Sequence, residues 1–583
     1  MAAESPVLRF ESFELDLRSR ELRRGAKLVR LQEQPFEILR LMLEHPGDVV
    51  TREALASRLW PAGTFVDFEH SLNAAVKRLR AALGDDADNP RFVETLPRRG
   101  YRFIAPLDSG LGVPLPVAGE RVRLAVLPFT NLSGDAAQEY VSDVLTEEMI
   151  AQLGQLGRGR VAVISRHSAM VFKGSTCSAK EIGEQLRADY LLEGSVRRDG
   201  ERVRITARLI DAAGETELWT ETYDHHLTDC LMSLQVEVAA RIARSLETEL
   251  APGPDVAGQT SPRDPLAYQA YLKGRYHWNL AGDQGLSEAV RFFEQALRID
   301  AGFAAAWAAL ARAFIASAEY YALPPAVAFE RAQHAVERAL QIDPGLSDGH
   351  LAFGDLRRMR HQDWVGAETS YAQAIALNPS SEAAHRMYGV LLAALGRAKE
   401  AEREARRART LDPLCLVVGT SAAWVNYLAG DFHTAIEQCG VVIEMDQKFL
   451  RARRVLAVSL LQSGHPVEAT VELERALALG PGDPLTMAWL AHAKAGAGDH
   501  AAALSLTRDL VALAGTRVVS PYHLAIAQLG SGDPDAALTS LERAPDECDP
   551  GLVYVAAEPR FRPLHSEPRF KSLLSGLNLE ART

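Results

Sequence analysis

The sequence predicts a multidomain α+β protein: a small N-terminal domain, an α/β middle domain and an all-α C-terminal half. Three observations predict this class. Hydrophobic spacing changes from a period of two to a helical period within the first hundred residues. Strand-like and helix-like stretches alternate over residues 121–223, and small residues recur every 34 positions after about residue 265. At 583 residues, with 47% hydrophobic and 24% charged residues, the chain is too long for one core and globular in composition.

Charge is distributed unevenly along the chain. Residues 1–108 carry 17 Lys and Arg against 17 Asp and Glu, so the remainder holds the whole net charge of −12. Within residues 70–104, seven basic residues face four acidic ones. Such a chain does not coat nucleic acid along its length, but it has a local basic surface.

The N-terminal elements follow from spacing and breakers. Residues 7–30 alternate apolar and polar side chains, which predicts short antiparallel strands. A helix is predicted from Gln34 to just before Pro46, and Thr51 is predicted to cap a second helix over residues 52–59. A third helix is predicted over residues 71–83, ended by Gly84, and a strand hairpin over residues 92–104.

The third helix and the hairpin carry the candidate functional residues. Leu72, Ala75, Val76, Leu79 and Leu83 share one side of the helix, which leaves a polar, cationic side facing outward. That outward side comprises Asn73, Ala74, Lys77, Arg78 and Arg80. A charged helix face is also common on plain solvated surfaces, but the adjacent hairpin tip with Arg98, Arg99 and Gly100 favours DNA. A winged helix holds duplex DNA with these two elements.

This region resembles the OmpR/PhoB-type winged-helix domain over about 100 residues. The resemblance rests on Leu59-Trp60, on Leu79-Arg80-Ala81-Ala82-Leu83-Gly84 and on Gly100-Tyr101-Arg102-Phe103. It implies that Ala74, Lys77 and Arg78 face bases and that Asn73 and Arg80 face phosphates. It places Arg98, Arg99 and Arg102 in the wing; Tyr101 either touches the sugar-phosphate backbone or packs at the strand end.

The order of domains resembles CadC/ToxR-type regulators, which begin with the winged helix. Only six residues precede the first predicted strand, so we expect no receiver domain. A membrane span follows the winged helix in those regulators, but no apolar run here reaches the ~18 residues that a span requires. With no signal peptide either, we expect a cytoplasmic protein.

The middle of the chain predicts an α/β layer domain. Strands are expected at residues 121–129 and 161–165, helices at 139–153 and 179–186, and a strand meander over 189–223. This stretch resembles the TolB-like region of bacterial regulators. The resemblance rests on Leu124-Ala-Val-Leu-Pro-Phe-Thr-Asn-Leu-Ser-Gly-Asp135, Leu192-Glu-Gly-Ser-Val196 and residues 219–224.

No catalytic residue, cofactor or metal ligand is predicted. The chain lacks a Gly-x4-Gly-Lys phosphate loop and a His-Glu-x-x-His motif, and His225-His226 is an isolated pair. Its five cysteines form no Cys-x-x-Cys pair, which argues against a disulfide framework or a zinc knuckle. We therefore expect a protein that is not an enzyme.

The C-terminal half keeps a 34-residue step in three parallel series. They are Ala367, Ala401, Ala435, Ala469, Ala503 and Ala537; Gly396, Gly430, Gly464, Gly498 and Gly532; and Asn378, Asp412, Asp446 and Gly480. This period predicts a solenoid of seven to eight tetratricopeptide (TPR) hairpins with an exposed concave groove. The tail, with Glu558-Pro-Arg-Phe and Glu567-Pro-Arg-Phe, is predicted to form a short capping helix.

These patterns predict the following domains: a DNA-binding domain over 1–106, a linker over 107–120, the TolB-like domain over 121–250 and a linker over 251–264. The TPR array then covers 265–545, and a capping segment covers 546–583. The predicted function is sequence-specific regulation of transcription, with the array sensing a partner or mediating assembly. Double-stranded DNA, RNA polymerase, a protein or peptide in the TPR groove and a second copy of the chain are the candidate partners. The alternatives are a scaffold whose winged helix binds no DNA and a nucleotide-responsive, enzyme-associated regulator.

Overall fold

The structure, a computed structural model, describes most of residues 7–103, 122–226 and 264–579. Gaps in this description fall at 11–12, 17–20, 25–26, 30, 32, 45–48, 53–54, 56–67, 87–89, 91, 97–99, 134–138, 157–160, 200–201 and 280–282. The chain divides into two compact units, Met1–Glu120 and Arg121–Thr583. Every helix among the described residues is too short or too polar to cross a bilayer.

The N-terminal unit contains two small sheets and two described helices. The first sheet has the order β1-β2-β3-β4, formed by Val7–Phe10, Phe13–Asp16, Glu21–Arg24 and Lys27–Val29. Helix α1 (Glu33–Glu44) follows, and helix α2 (Phe68–Leu83) precedes the hairpin. The second sheet has the order β5-β7-β6, formed by Val49–Thr51, Gly100–Phe103 and Val93–Leu96. The predicted helix over 52–59 lies mostly outside the described residues, and β5 was not predicted.

The core of this unit joins both sheets to both helices. Phe13, Phe36, Leu39, Leu79 and Phe103 are each at most 3% exposed. The rings of Phe13 and Phe92 meet edge to face at 5.6 Å, so the first sheet packs against the wing strands. The apolar side of helix α2 is therefore packed against the core, and its opposite side does not contribute to this core.

The middle domain has the predicted α/β class; its strands form one mixed sheet with helices on both faces. Its strands β8 to β13 are Val122–Val126, Thr130–Asn131, Val161–Val163, Tyr190–Asp199, Arg202–Asp211 and Thr216–His226. Its helices α3 to α5 are Glu139–Leu156, Arg166–Met170 and Ala179–Leu186. The sheet order is β10-β8-β11-β12-β13, with β9 beside β11. Strand β8 buries Leu124 and Val126 on the face that α3 covers, and Ala125 on the face that α5 covers.

The C-terminal half consists of eight helical hairpins within the described residues. The first four use α6 to α13: Pro265–Asn279, Asp283–Ile299, Ala304–Glu319, Pro325–Ile342, Ser347–Leu356, Trp364–Leu377, Glu382–Ala394 and Ala398–Leu411. A π-helical turn, Arg357–His361, extends α10. The last four use α14 to α21: Leu416–Ala429, Phe432–Met445, Leu450–Gln462, Pro466–Leu479, Pro484–Gly496, His500–Leu513, Pro521–Gly530 and Pro534–Arg543.

The 34-residue series have the structural roles that their composition predicts. The six alanines of the first series are all fully buried, because the paired helices touch there. The five glycines of the second series lie in the turns with φ between +84° and +86°, a conformation that favours glycine. The repeat arithmetic is thus confirmed in both the packing and the backbone.

The middle domain docks on the array as part of the same compact unit. Arg275 of α6 forms an ion pair with Glu147 of α3, and Arg166 of α4 lies 3.7 Å from the same carboxylate. Burial by itself would raise the pKa of Glu147, but the two arginines hold it below its ordinary value. Further along the array, Ser168 of α4 binds Asp412 at the end of a hairpin.

The chain's own tail covers the face of the array that the sequence predicted to be an exposed groove. After α21 come two 3₁₀ turns, Pro550–Tyr554 and Pro559–Leu564, and helix α22, Pro568–Gly576. Their partners lie on first helices of the hairpins or directly after them. Tyr427, Trp489 and Tyr522 are buried, and Tyr321 is partly buried. Tyr320 also accepts a hydrogen bond from Arg451, 131 residues away, so the stack curves around this segment. The prediction of an open groove is therefore wrong. The predicted short helix of the tail forms as α22, and the residues before it pack along the inner face of the array.

Candidate nucleic-acid interface

Helix α2 has one buried side and one exposed side, as its spacing predicts. Leu72, Ala75, Val76 and Leu79 are at most 2% exposed. On the other side Asn73, Lys77 and Arg78 are exposed, and Ala74 is partly exposed between them. The Arg78 guanidinium donates to the carbonyl of Ala74 one turn earlier at 3.2 Å, so it lies along the outer surface of the helix.

Arg80 ties the end of α2 to the wing. Its Nη2 donates to the carbonyl of Val93 and to Oγ1 of Thr95, both at 2.7 Å. Asp85, just past the helix, accepts from the backbone N–H of Val93 at 2.8 Å and lies 3.9 Å from Nε of Arg80. The helix end and strand β6 are thus fixed by charge-assisted hydrogen bonds.

A second network fixes the beginning of the exposed face. The buried Tyr101 hydroxyl donates to Oδ1 of Asn73 at 2.7 Å. Arg52 donates to the same Oδ1 at 3.3 Å and to the Tyr101 hydroxyl at 3.2 Å, and its guanidinium lies 5.2 Å from the centre of the Tyr101 ring. Asn73 is therefore held in one orientation, with its amide nitrogen left to face away from these donors.

Apart from Arg102, the predicted site residues fall into three groups. Ala74, Lys77 and Arg78 lie on the outer surface of α2. Asn73, Arg80 and Tyr101 join α2 to the wing; at 2% exposure, Tyr101 is packed inside the domain. Arg98 and Arg99 lie outside the described residues.

Arg102 lies on the wing strand β7 and pairs with Glu94 across the hairpin. Its Nε donates to Oε2 of Glu94 at 2.8 Å. Sequence reasoning missed Glu94, and also Arg52, Asp85 and Thr95. Asp85 directly follows the helix-ending Gly84, a position that could have suggested a cap, whereas Arg52 carries no local signal.

Three family descriptions match this chain. Residues 25–103 match "Transcriptional regulatory protein, C terminal", and residues 120–241 match "HilA/YgeH-like transcriptional regulator, second domain". Residues 383–407, 450–475 and 522–543 match "Tetratricopeptide repeat". The second match covers the stretch that resembles the TolB-like region.

Similar proteins include regulators and one protein named as a cyclase. The transcriptional regulator HilA of Salmonella typhimurium is 24% identical over 435 residues, 73% of this chain and 74% of HilA. A putative adenylate cyclase 3 of Rhizobium meliloti is 36% identical over 198 residues, 34% of this chain and 33% of that protein. The chain thus spans about a third of the cyclase and about three quarters of HilA.

Among solved structures, the RstA DNA-binding domain of Klebsiella pneumoniae, in complex with the RstA box, is similar to this chain. It is 30% identical and covers 17% of this chain and 96% of its own, with a TM-score of 0.16.

Proposed function

We propose that this chain, which carries an OmpR/PhoB-type winged-helix domain, a HilA-like second domain and TPR repeats, regulates transcription by reading duplex DNA in a sequence-specific manner. The observation that carries the proposal is the outer surface of α2. There Lys77 and Arg78 are exposed while the opposite side of the helix is buried in the core. A helix whose apolar side is buried in the core and whose exposed side is cationic suits the major groove of DNA.

Within this proposal, base contacts and phosphate contacts come from different residues. Lys77 and Arg78 donate to base edges, and Ala74 leaves room for close approach or contacts a thymine methyl. In this proposal Asn73 and Arg80 contact the phosphates, and Tyr101 positions Asn73 through its hydroxyl. Arg98, Arg99 and Arg102 contact the neighbouring groove or backbone from the wing.

The rest of the chain supplies binding rather than a reaction in this proposal. The array or the middle domain receives a protein or peptide signal, and a second copy or RNA polymerase completes the complex at the promoter. Two readers on adjacent half-sites would raise affinity through effective concentration. The proposed compartment is the cytoplasm. A partner that uses the inner face of the array has to displace the tail, because that face is occupied.

The first test is selection from random duplex DNA with the full chain and with Lys77→Ala/Arg78→Ala. We expect an enriched motif with the parent chain. Because each well-formed base contact contributes about 1–3 kcal/mol, the double variant should lose at least about 30-fold in affinity for that motif. The matched control is Lys399→Ala/Arg406→Ala, which removes the same charge from exposed positions on the array helix α13.

The outcomes separate the rival functions. If both double variants bind the motif equally, Lys77 and Arg78 are not the readers. If no motif is enriched with the full chain, the protein-binding scaffold replaces the DNA reader. A calorimetric titration of the chain with nucleotides addresses the remaining alternative, which the relative named as an adenylate cyclase keeps relevant.

A further inference from the structure

The junction between the middle domain and the array is built around one buried carboxylate. Asp412 directly follows helix α13 and is 1% exposed. Its Oδ1 accepts from the backbone N–H of Ser168 at 2.9 Å and from the Ser168 hydroxyl at 2.6 Å. The same hydroxyl accepts from the N–H of Leu414 at 2.7 Å. One oxygen of Asp412 is therefore fully used in holding α4 of the middle domain.

The other oxygen of Asp412 has a different environment. Oδ2 is buried and receives no hydrogen bond from the described residues. His167 Nδ1 lies 3.3 Å from it, and one ligand atom each of His167, Asp412 and Cys415 lie within 4.8 Å of one another. A buried carboxylate oxygen without a well-aligned donor is costly, and either a protonated His167 or a bound metal ion would compensate it.

The arginines nearest to this junction are paired with other carboxylates, among them that of Glu382. Oε2 of Glu382 is also buried and without a hydrogen bond among the residues that the structure describes. Arg386 of the same helix lies 3.7 Å from this Glu382 oxygen and compensates it, and Arg166 lies 3.7 Å from Glu147. Both arginines are thus paired with carboxylates other than Asp412.

We infer that His167, Asp412 and Cys415 form a zinc site that joins the middle domain to the TPR array. An imidazole nitrogen, a thiolate sulfur and a carboxylate oxygen together suit Zn²⁺, whereas Mg²⁺ and Ca²⁺ prefer oxygen ligands alone. His167 comes from α4 of the middle domain, and the other two ligands follow α13 of the array. The His167 side chain is 48% exposed, which gives the ion a route in and leaves a fourth position for water.

This inference is separate from DNA binding, because it makes the docking of the middle domain on the array depend on zinc. Zinc bound by ligands from both sides stabilises the docked arrangement and not the separated one. The middle domain would then hold its place on the array more tightly when zinc is present. The inference does not depend on whether the N-terminal unit reads DNA, so each can fail alone.

The test is metal binding by the full chain after removal of metal with a chelator. We expect one Zn²⁺ per chain with Kd below about 1 μM in competition with a chromophoric chelator. Co²⁺ in the same site should give an ultraviolet thiolate-to-metal absorption band. Cys415→Ser should abolish this band, and His167→Gln should weaken zinc binding by more than about 100-fold, beyond the loss typical for outer-shell changes. Zn²⁺ should raise the melting temperature of the parent chain but not that of His167→Gln.

Matched controls use thiols away from the junction. Cys439 is buried in α15 and Cys177 is exposed in the middle domain, and serine at either position should leave Zn²⁺ and Co²⁺ binding unchanged. His167→Gln alters a half-exposed side chain, so it keeps the test decisive if Cys415→Ser does not fold. The inference is overturned if the parent chain binds no zinc in this range. It is equally overturned if the cobalt band survives in a folded Cys415→Ser variant or if zinc affinity is unchanged in His167→Gln.

Discussion

At the scale of single residues, His523 shows how the occupied inner face of the array changes the chemistry of a side chain. Its ring meets those of Tyr321 and Tyr522 edge to face at 6.0 Å and 5.5 Å. Burial, followed by the charges of Arg560 and Arg454, lowers the pKa of His523 to about 3. The imidazole is therefore neutral in the folded chain throughout the physiological range.

This lowered pKa predicts a stability that falls with acidity. The unfolded chain takes up a proton at His523 near its ordinary pKa of about 6.5, whereas the folded chain does not, so stability decreases as pH falls below that value. Between pH 7 and pH 5 the contribution lost is up to about 2 kcal/mol. Urea unfolding at both pH values should show that the free energy of unfolding of His523→Gln changes less between pH 7 and pH 5 than that of the parent chain, by up to that amount. His433→Gln, at a side chain that is 86% exposed, should match the parent chain, and an unchanged slope in His523→Gln would contradict the assignment.

The sequence predicts the position of a side chain correctly where helical spacing determines it. The prediction fails where contacts with residues distant in the sequence determine the direction of the side chain. Helical spacing alone places Lys77 and Arg78 on the outer side of α2. It cannot show that Arg80 turns to Val93 or that Tyr101 donates to Asn73, because these partners are 13 and 28 residues away. The direction of a long side chain depends on groups that only folding brings near.

At the scale of helices and turns, the 34-residue glycine series can be tested directly. Gly498 lies between α18 and α19 with φ +86°, and an added Cβ would meet nothing within 4 Å. Gly440 lies inside α15 and also has open space at its Cβ position, but it lacks the positive φ. The two positions therefore differ in backbone conformation and not in crowding.

Alanine should have opposite effects at these two glycines. Gly498→Ala should destabilise the array by about 1 kcal/mol, because an L-residue is strained in the left-handed conformation. Gly440→Ala should stabilise it by about 0.5–1 kcal/mol, because alanine favours the helix interior. Thermal unfolding followed by circular dichroism measures both changes, and a destabilisation of equal size at Gly440 would refute the backbone explanation.

The repeat was predictable because it is local. Each hairpin requires a small buried residue and a glycine turn at fixed positions, so the pattern recurs in the sequence itself. The short helix α4 and the strand β5 gave no comparable periodic signal. They are three to five residues long and are stabilised by contacts from other elements.

At the scale of the whole molecule, two arrangements were not predictable from the sequence. The middle domain docks through pairs such as Ser168 with Asp412, and the tail docks through pairs such as Trp364 with the carbonyl of Leu577. These partners are 244 and 213 residues apart. The sequence around a polar residue with so distant a partner looks the same as the sequence around an ordinary surface residue.

The tail itself contains two copies of one motif in different environments. In the first copy, Glu558 and Arg560 form an ion pair with both side chains fully buried. Glu558 also accepts from the hydroxyls of Tyr427 at 2.5 Å and Tyr522 at 3.3 Å, and Arg560 lies 4.4 Å above the ring of Trp489. In the second copy, Glu567 is exposed at the start of α22.

Replacing Glu558 and, separately, Glu567 by glutamine tests whether the buried ion pair of the first copy stabilises the tail, independently of the motif that both copies share. Glu558→Gln leaves the buried Arg560 charge without its partner, which should cost about 3–5 kcal/mol. Glu567→Gln makes the same chemical change at an exposed position and should cost less than about 0.5 kcal/mol. Denaturant unfolding followed by the fluorescence of Trp424 and Trp489, which stack at 6.0 Å beside this segment, measures the difference. Faster hydrogen exchange in helices α14, α18 and α20 of Glu558→Gln would show that the tail protects the inner face. Equal effects of the two variants would instead mean that the buried pair does not hold the tail in place.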